Sequence, residues 1–171
     1  MALSSGVTPV SQSELIREVV IGRFEIPAND AGTGSMYAFK AMGALQFPNG
    51  QTITVNVRIG DSPSDTSGRK IMSTGGFTTT TQTEADGRLY SIDGTVYIGQ
   101  HGRGTAMGFI NESASSSSQH AGRMSRAHPC GGTIDNLTVT SKIHIVITTK
   151  FTNPSDQNHA NVQNGVLEKV H

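Results

Sequence analysis

Alternating apolar and polar residues predict β-strands along most of this sequence. The clearest case is residues 52–59, where Ile53, Val55, Val57 and Ile59 alternate with Thr, Asn and Arg. A period of two residues places these apolar side chains on one face of a strand and the polar side chains on the other. An amphipathic helix would instead need apolar residues three and four positions apart, and the chain has almost no such segment.

Turn residues divide the apolar pattern into eight or nine predicted strands. The separating segments are rich in Gly, Pro, Asn and Asp, as in the turn at Pro48-Asn49-Gly50. Inside one run, Asp93-Gly94 predicts a bulge or a tight turn. The predicted strands cover residues 16–26, 36–46, 52–59, 70–83, 89–98, 105–110, 133–140, 142–151 and 161–170.

These strands predict an all-β fold. Their connections are too short for the helical crossovers that parallel strands need, so the sheets are expected to be antiparallel. Strands with one apolar and one polar face suit two packed layers. We therefore predict an antiparallel β-sandwich, jelly-roll-like, with a closed barrel as the alternative.

The chain divides into a short arm and one domain. Its length of 171 residues corresponds to about one domain of roughly 150 residues. Residues 1–15 are mostly polar and contain Pro9, which predicts a flexible or partner-bound N-terminal arm. Ser11 and Glu14 have the spacing of a capping box, so a short helical turn is the alternative there. Residues 16–171 are predicted to form a single β-sandwich domain.

The charge balance excludes several classes of function. Thirteen Lys and Arg residues match thirteen Asp and Glu residues, so we expect neither nucleic-acid binding nor a basic membrane-binding patch. Only 15% of residues are charged, against about 25% in typical domains. No apolar run is long enough for a transmembrane helix, and the N-terminus has no secretion signal. We therefore expect assembly in a reducing cytoplasm.

Histidines and the single cysteine are the first candidates for site chemistry. His120, His128 and Cys130 lie close in sequence, but a zinc site would need a further ligand, so the residues are interpreted as polar groups of a loop or interface. Cys130 is interpreted as a buried or half-buried thiol. His144 alternates with isoleucines and is expected to point outward or to lie at a subunit contact.

Other motifs lack the residues that catalysis or calcium binding requires. The loop that begins at Asp61 resembles the start of a calcium-binding loop, but its twelfth position is Met72 instead of Glu. No Gly-x-Ser-x-Gly nucleophile motif is present. Without Trp, a carbohydrate site would lack its usual aromatic platform. We therefore predict a protein that is not an enzyme and that uses no cofactor or metal.

Four segments together carry a family resemblance. They are FEIPAN at 24–29 with a following Gly-Thr-Gly, GQTITVNVRIG at 50–60, LYSIDGTVYIGQHGRGTAM at 89–107, and TIDN at 133–136. In this order they resemble a small β-sandwich module of virion proteins from tailed bacteriophages. The pattern covers most of residues 20–170.

The resemblance implies a jelly-roll-like domain displayed on a virus particle, usually as a homo-oligomer and often as a trimer. The first expectation is a capsid decoration (cement) protein on the virion surface, with the major capsid protein as partner. The alternative is the head of a tail fibre or other appendage, which binds a host glycan or receptor. An enzyme is a weaker interpretation because the sequence contains no catalytic motif. A small icosahedral coat protein is also weaker, because residues 1–15 lack the basic residues of a coat protein's arm.

Partner contacts are expected in the two segments that are poorest in core residues. One is the arm, and the other is residues 113–132, which are predicted to form a long mobile loop. The expected partner-binding residues are Ser4, Ser5, Val7, Val10, Ser11, His120, Arg123, Arg126 and His128.

Overall fold

A computed structural model describes residues 17–47, 50–63, 66, 68–78, 88–112, 126–155 and 158–170. In these residues the one helical element is a three-residue 3-10 turn at Gln100–Gly102. None of their helices is long and apolar enough to cross a membrane. The strands are β1 (Val19–Ile26), β2 (Ser35–Gln46), β3 (Thr52–Gly60), β4 (Arg69–Ser73), β5 (Phe77–Thr78), β6 (Arg88–Ile98), β7 (Gly104–Glu112), β8 (Arg126–Ile134), β9 (Ile143–Phe151) and β10 (His159–Lys169).

The strands form two antiparallel sheets that pack face to face. Sheet I has the order β1-β9-β3-β4, with β5 also pairing with β3, and sheet II has the order β10-β2-β6-β7-β8. Since β4 and β5 occupy the same side of β3, the ten strands fill nine positions. The chain passes repeatedly from one sheet to the other, which is its jelly-roll-like feature. The predicted all-β antiparallel sandwich is confirmed.

The core lies between the two sheets and is built from the alternating residues of the predicted strands. In sheet I, the apolar side chains of β3 identified from the sequence are all buried, from Ile53 to Ile59. In sheet II, Phe39 and Ile92 are among the largest fully buried side chains. Strand β9 lies between β1 and β3, and all but one of its residues are buried. The apolar alternation therefore predicted the buried face correctly.

The region between residues 113 and 140 differs from its prediction. The predicted loop 113–132 and the predicted strand 133–140 are wrong in their bounds, because β8 begins at Arg126 and ends at Ile134. All nine residues of β8 pair with β7. Pro129 is tolerated because β8 is an edge strand, where a missing N–H breaks no ladder on its outer side. Pairing with β7 thus outweighs the weak strand propensity of this segment.

Two glycine-containing sites also depart from their predictions. The predicted strand 70–83 is interrupted after β4, where Gly75 and Gly76 have φ values of 71° and 84°. Conversely, Asp93-Gly94 makes neither a bulge nor a turn, because β6 pairs without a register shift with β2 and β7. Gly94 is opposite Phe39, and the aromatic ring occupies the space that a side chain at Gly94 would need.

The two lateral edges of the sandwich are built differently. On one side, β4 of sheet I lies against β8 of sheet II. Arg69 donates hydrogen bonds to the carbonyl and hydroxyl oxygens of Thr133 at 3.1 and 3.0 Å and lies 3.4 Å from Asp135. Cys130 donates to the carbonyl oxygen of Ser73 at 3.0 Å. On the other side, β1 and β10 leave a groove with a volume of about 490 Å³.

Candidate interaction face

The outward side of sheet II is a five-stranded surface that carries exposed apolar side chains. We call it the outer face of sheet II, and it consists of the alternate residues of β2, β6, β7, β8 and β10 that point away from the core. Its central row crosses all five strands in register, through Val166, Lys40, Asp93, Phe109 and Pro129. This arrangement follows from the period of two residues in each strand.

Large apolar side chains remain exposed on this side of the molecule. Six of them are between 41% and 66% exposed, although side chains of this kind are normally buried. Between them lie small residues such as Ala38, Ser91 and Gly131. The exposed apolar side chains are Met42, Leu89, Tyr97, Met107, Phe109 and Val170.

Charge on the outer face of sheet II is sparse and largely paired. The Lys40 ammonium and the Asp93 carboxylate lie 3.2 Å apart near its centre, on directly opposed positions of β2 and β6. Their side chains are 64% and 58% exposed, so the pair contributes little to stability in the single chain. Among the described residues of this face, Glu168 is the other formally charged one. The face is therefore nearly neutral.

Sheet I presents a different outer surface, in which the polar groups bind one another. Arg58 contacts both carboxylate oxygens of Glu18, at 2.7 and 2.8 Å. Thr148 and Asn56 donate to the same carboxylate at 2.5 and 2.9 Å. Burial alone would raise the pKa of Glu18, but these hydrogen bonds lower it to about 2. The polar groups of this network are hydrogen-bonded to one another within the chain, which indicates a structural role.

The groove between β1 and β10 is also held together by its own polar groups. The Tyr37 hydroxyl donates to Asp30 Oδ2 at 2.8 Å, and Lys169 donates to the Asp30 carbonyl oxygen at 2.6 Å. The hydrogen bond from Tyr37 is the main reason that the pKa of Asp30 is lowered. Burial raises the pKa of Tyr37 far above its ordinary value, so its hydroxyl stays protonated. These groups tie the loop between β1 and β2 to strands β2 and β10 of sheet II at the open side.

Two of the expected partner-binding residues lie on β8 instead of in a loop. They are Arg126 and His128, which pair with Glu112 and Ile110 of β7. The His128 imidazole lies 3.9 Å from the Glu112 carboxylate. The remaining expected residues lie outside the described part of the chain: Ser4, Ser5, Val7, Val10, Ser11, His120 and Arg123. Partner binding by all nine stays a prediction.

Cys130 and His144 are both at least partly buried within the fold. Cys130 is half-buried, as expected, and its thiol contacts the backbone of Ser73 and His128. His144 alternates with the core isoleucines of β9, as predicted, and its side chain is buried, while its placement at a subunit contact stays a prediction. Across the described ranges, no three His, Cys, Asp or Glu side chains are grouped so that they would hold a metal ion.

Comparison with known proteins yields little. No protein-family model matches the chain, and no curated protein is significantly similar to it. One solved structure, a legume lectin-like domain from Entamoeba histolytica, aligns over 91% of this chain and 80% of that one. Its sequence identity is 9% and its TM-score is 0.29, so the likeness carries no argument about fold or function.

Sequence reasoning missed the outer face of sheet II as a site. The signal that was available is the alternation of small and large residues at 36–46 and of polar and apolar residues at 89–98. That alternation assigns side chains to two faces of each strand. It contains no information about which strands are neighbours, so the pairing of Lys40 with Asp93 was not visible.

Proposed function

We propose that this chain is a non-enzymatic structural protein of a bacteriophage virion, most simply a decoration protein that binds the capsid surface and stabilises the particle. The observation that carries the proposal is the outer face of sheet II, which is nearly neutral and carries exposed apolar side chains such as Met107 and Phe109. Exposed large apolar side chains grouped on one face are typical of protein–protein contacts.

Low charge supports the same function. Copies of a decoration protein lie close together on a particle, and a formal net charge of zero avoids repulsion between them. In this proposal the arm, residues 1–15, and the segment around His120 and Arg123 attach the domain to the major capsid protein. The protein is then a component of the virion surface that is assembled in the host cytoplasm.

Capsids that lack the protein provide the direct test. We expect the purified chain to co-sediment with them and to raise their melting temperature. Deletion of residues 1–12 is expected to weaken binding, while the circular dichroism spectrum and melting temperature of the isolated domain stay unchanged.

Three results would contradict the proposal. Binding to host cells or glycans without binding to capsids would favour the appendage head. Closure of the purified protein into shells would favour a coat protein. Failure to bind either capsids or cells, by a folded protein, would remove the virion role.

A further inference from the structure

We infer that the outer face of sheet II binds the same face of a second copy of this chain. The two sheets would stack face to face about a two-fold axis that runs parallel to the strands, between β2 and β6. The inference names a partner for the surface on which the proposed function rests. In the proposed function this face then joins copies of the decoration protein on the particle, and attachment to the major capsid protein falls to the arm and to the segment around His120 and Arg123.

Charge complementarity within the face supports this partner. A two-fold axis between β2 and β6 exchanges the positions of these two strands. Lys40 therefore faces the partner's Asp93, and Asp93 faces the partner's Lys40. Since the two residues already lie in one row across the sheet, 3.2 Å apart, the exchange pairs opposite charges at the centre of the interface. Like charges would not meet anywhere in this row.

The shapes of the rows fit the same axis. The rotation also exchanges β10 with β7, so Val166 faces the partner's Phe109 in the central row. One row away, Asn164 faces the partner's Asn111, and two amides can donate to and accept from each other. Val166 and Phe109 therefore flank the central charges, and aromatic residues such as Phe109 are enriched in protein contacts.

The available area is close to what a stable dimer needs. Four overlapping strands spaced ~4.8 Å apart, each contributing ~9 residues of ~3.3 Å, cover about 600 Å² of flat surface. The accessible surface of the side chains exceeds this flat area because they project from the sheet. A standard interface buries about 800 Å² on each partner. Stacked sheets pack about 10 Å apart with their strands nearly aligned, which this axis permits.

Charge reversal tests the pairing between copies. Lys40→Asp leaves two acidic residues on the central row, and Asp93→Lys leaves two basic residues. We expect the wild-type protein to sediment with the mass of two chains and each single variant to sediment as one chain. An equimolar mixture of the two variants is expected to recover the two-chain mass, because every acidic side chain of one variant then faces a basic side chain of the other.

A matched control separates this effect from a general change of charge. Lys142, which immediately precedes β9, and Glu25 of β1 form an exposed ion pair at 2.9 Å. The pair lies at sheet I, away from the outer face of sheet II. Lys142→Glu is therefore expected to retain the two-chain mass. Circular dichroism melts of all variants check that each is folded.

Several outcomes overturn the inference. They are a wild-type protein that sediments as one chain or as three, single variants that associate as the wild type does, and a mixture that stays monomeric. The capsid-binding measurement is independent of these results. Capsid binding without dimers contradicts only this inference, and dimers without capsid binding contradict only the proposed function.

Discussion

Arg58 binds the Glu18 carboxylate through two of its nitrogens, at 2.7 and 2.8 Å, and holds the residue that precedes β1 onto sheet I. The same guanidinium donates to the Gly68 carbonyl oxygen at 2.7 Å. Both side chains are mostly buried. A bidentate pair of this kind has a fixed geometry, and its partners are not interchangeable with Lys or Asp.

The ion pair predicts a loss of stability in acid. Because the pKa of Glu18 is about 2 in the folded chain and 4.5 ordinarily, its contribution is complete above pH 4.5 and disappears as the pH falls towards 2. Glu18→Gln is expected to lower the free energy of unfolding at neutral pH by about 1–3 kcal/mol and to flatten this part of the pH profile. Urea unfolding at several pH values measures both effects.

A control for the Glu18 variant is Glu25→Gln, which removes an exposed carboxylate that pairs with Lys142. Exposed pairs contribute little, so we expect almost no change in stability at neutral pH. Equal losses in the two variants would contradict the structural role assigned to Glu18.

His144 predicts a second pH dependence, at higher pH. Burial lowers the pKa of its imidazole from 6.5, while nearby Glu25 and Asp61 raise it and Arg23 and Lys142 lower it. A lowered pKa means that the folded state favours the neutral ring, so stability falls as the pH drops below 6.5. No described group offers its Nδ1 atom a hydrogen bond. His144→Leu is therefore expected to retain the fold and to reduce the loss of stability that occurs as the pH falls below 6.5.

The measurement for this variant is the difference between its unfolding free energies at two pH values. The same substitution at another histidine, His128→Leu on the edge strand β8, is the matched control for His144→Leu. If His144→Leu shows the same dependence on pH as the wild type, burial of this histidine does not contribute to it.

Packing at Gly94 predicts a steric cost. A Cβ atom on Gly94 would lie 2.3 Å from the Phe39 ring, which is itself fully buried. Gly94→Ala is expected to destabilise the fold by about 1–3 kcal/mol, as overpacked cores do. Gly60→Ala is the control, since its added carbon meets only an ordinary contact at 3.5 Å. Thermal melts distinguish the two, and equal melting temperatures would contradict the account.

The hydroxyl of Tyr37 predicts a local effect in the groove. Tyr37→Phe removes the hydrogen bond to Asp30 and is expected to cost about 1 kcal/mol. The pKa of Asp30 should rise at the same time, because this hydrogen bond is the largest cause of its lowering. NMR titration of the Asp30 carboxylate measures the shift. Tyr97→Phe, at an exposed position, should leave both quantities unchanged.

The sequence predicted strands well where the alternation was strong, as in β3 and β9. It failed where a neighbouring strand decides the structure. The segment that forms β8 contains Pro129 and two glycines, which are poor strand residues, yet it pairs with β7 along its whole length. Gly94 was misinterpreted for a similar reason. A glycine is needed there because the Phe39 ring, on another strand, occupies the space that a side chain would take. Local propensity does not contain these contacts.

The candidate site was less predictable than the fold. Lys40 and Asp93 are 53 positions apart by their numbers, and no local pattern connects them. Their contact depends on the strand order of sheet II and on the register between β2 and β6. A shift of one residue in that register would move one of them to the opposite face.

The unequal edges of the sandwich imply unequal protection of its backbone amides from solvent exchange. The side-chain bonds from Arg69 and Cys130 tie β4 to β8, whereas β1 and β10 pack together at Gly22 and Val162 and leave a groove beside Ile26 and Leu167. Outward-directed amides of β10 can therefore exchange through small local fluctuations, while those of β9, bonded on both sides, require much larger openings. Deuterium uptake is thus expected to begin at the edge formed by β1 and β10 and to be slower at the edge where β4 is tied to β8.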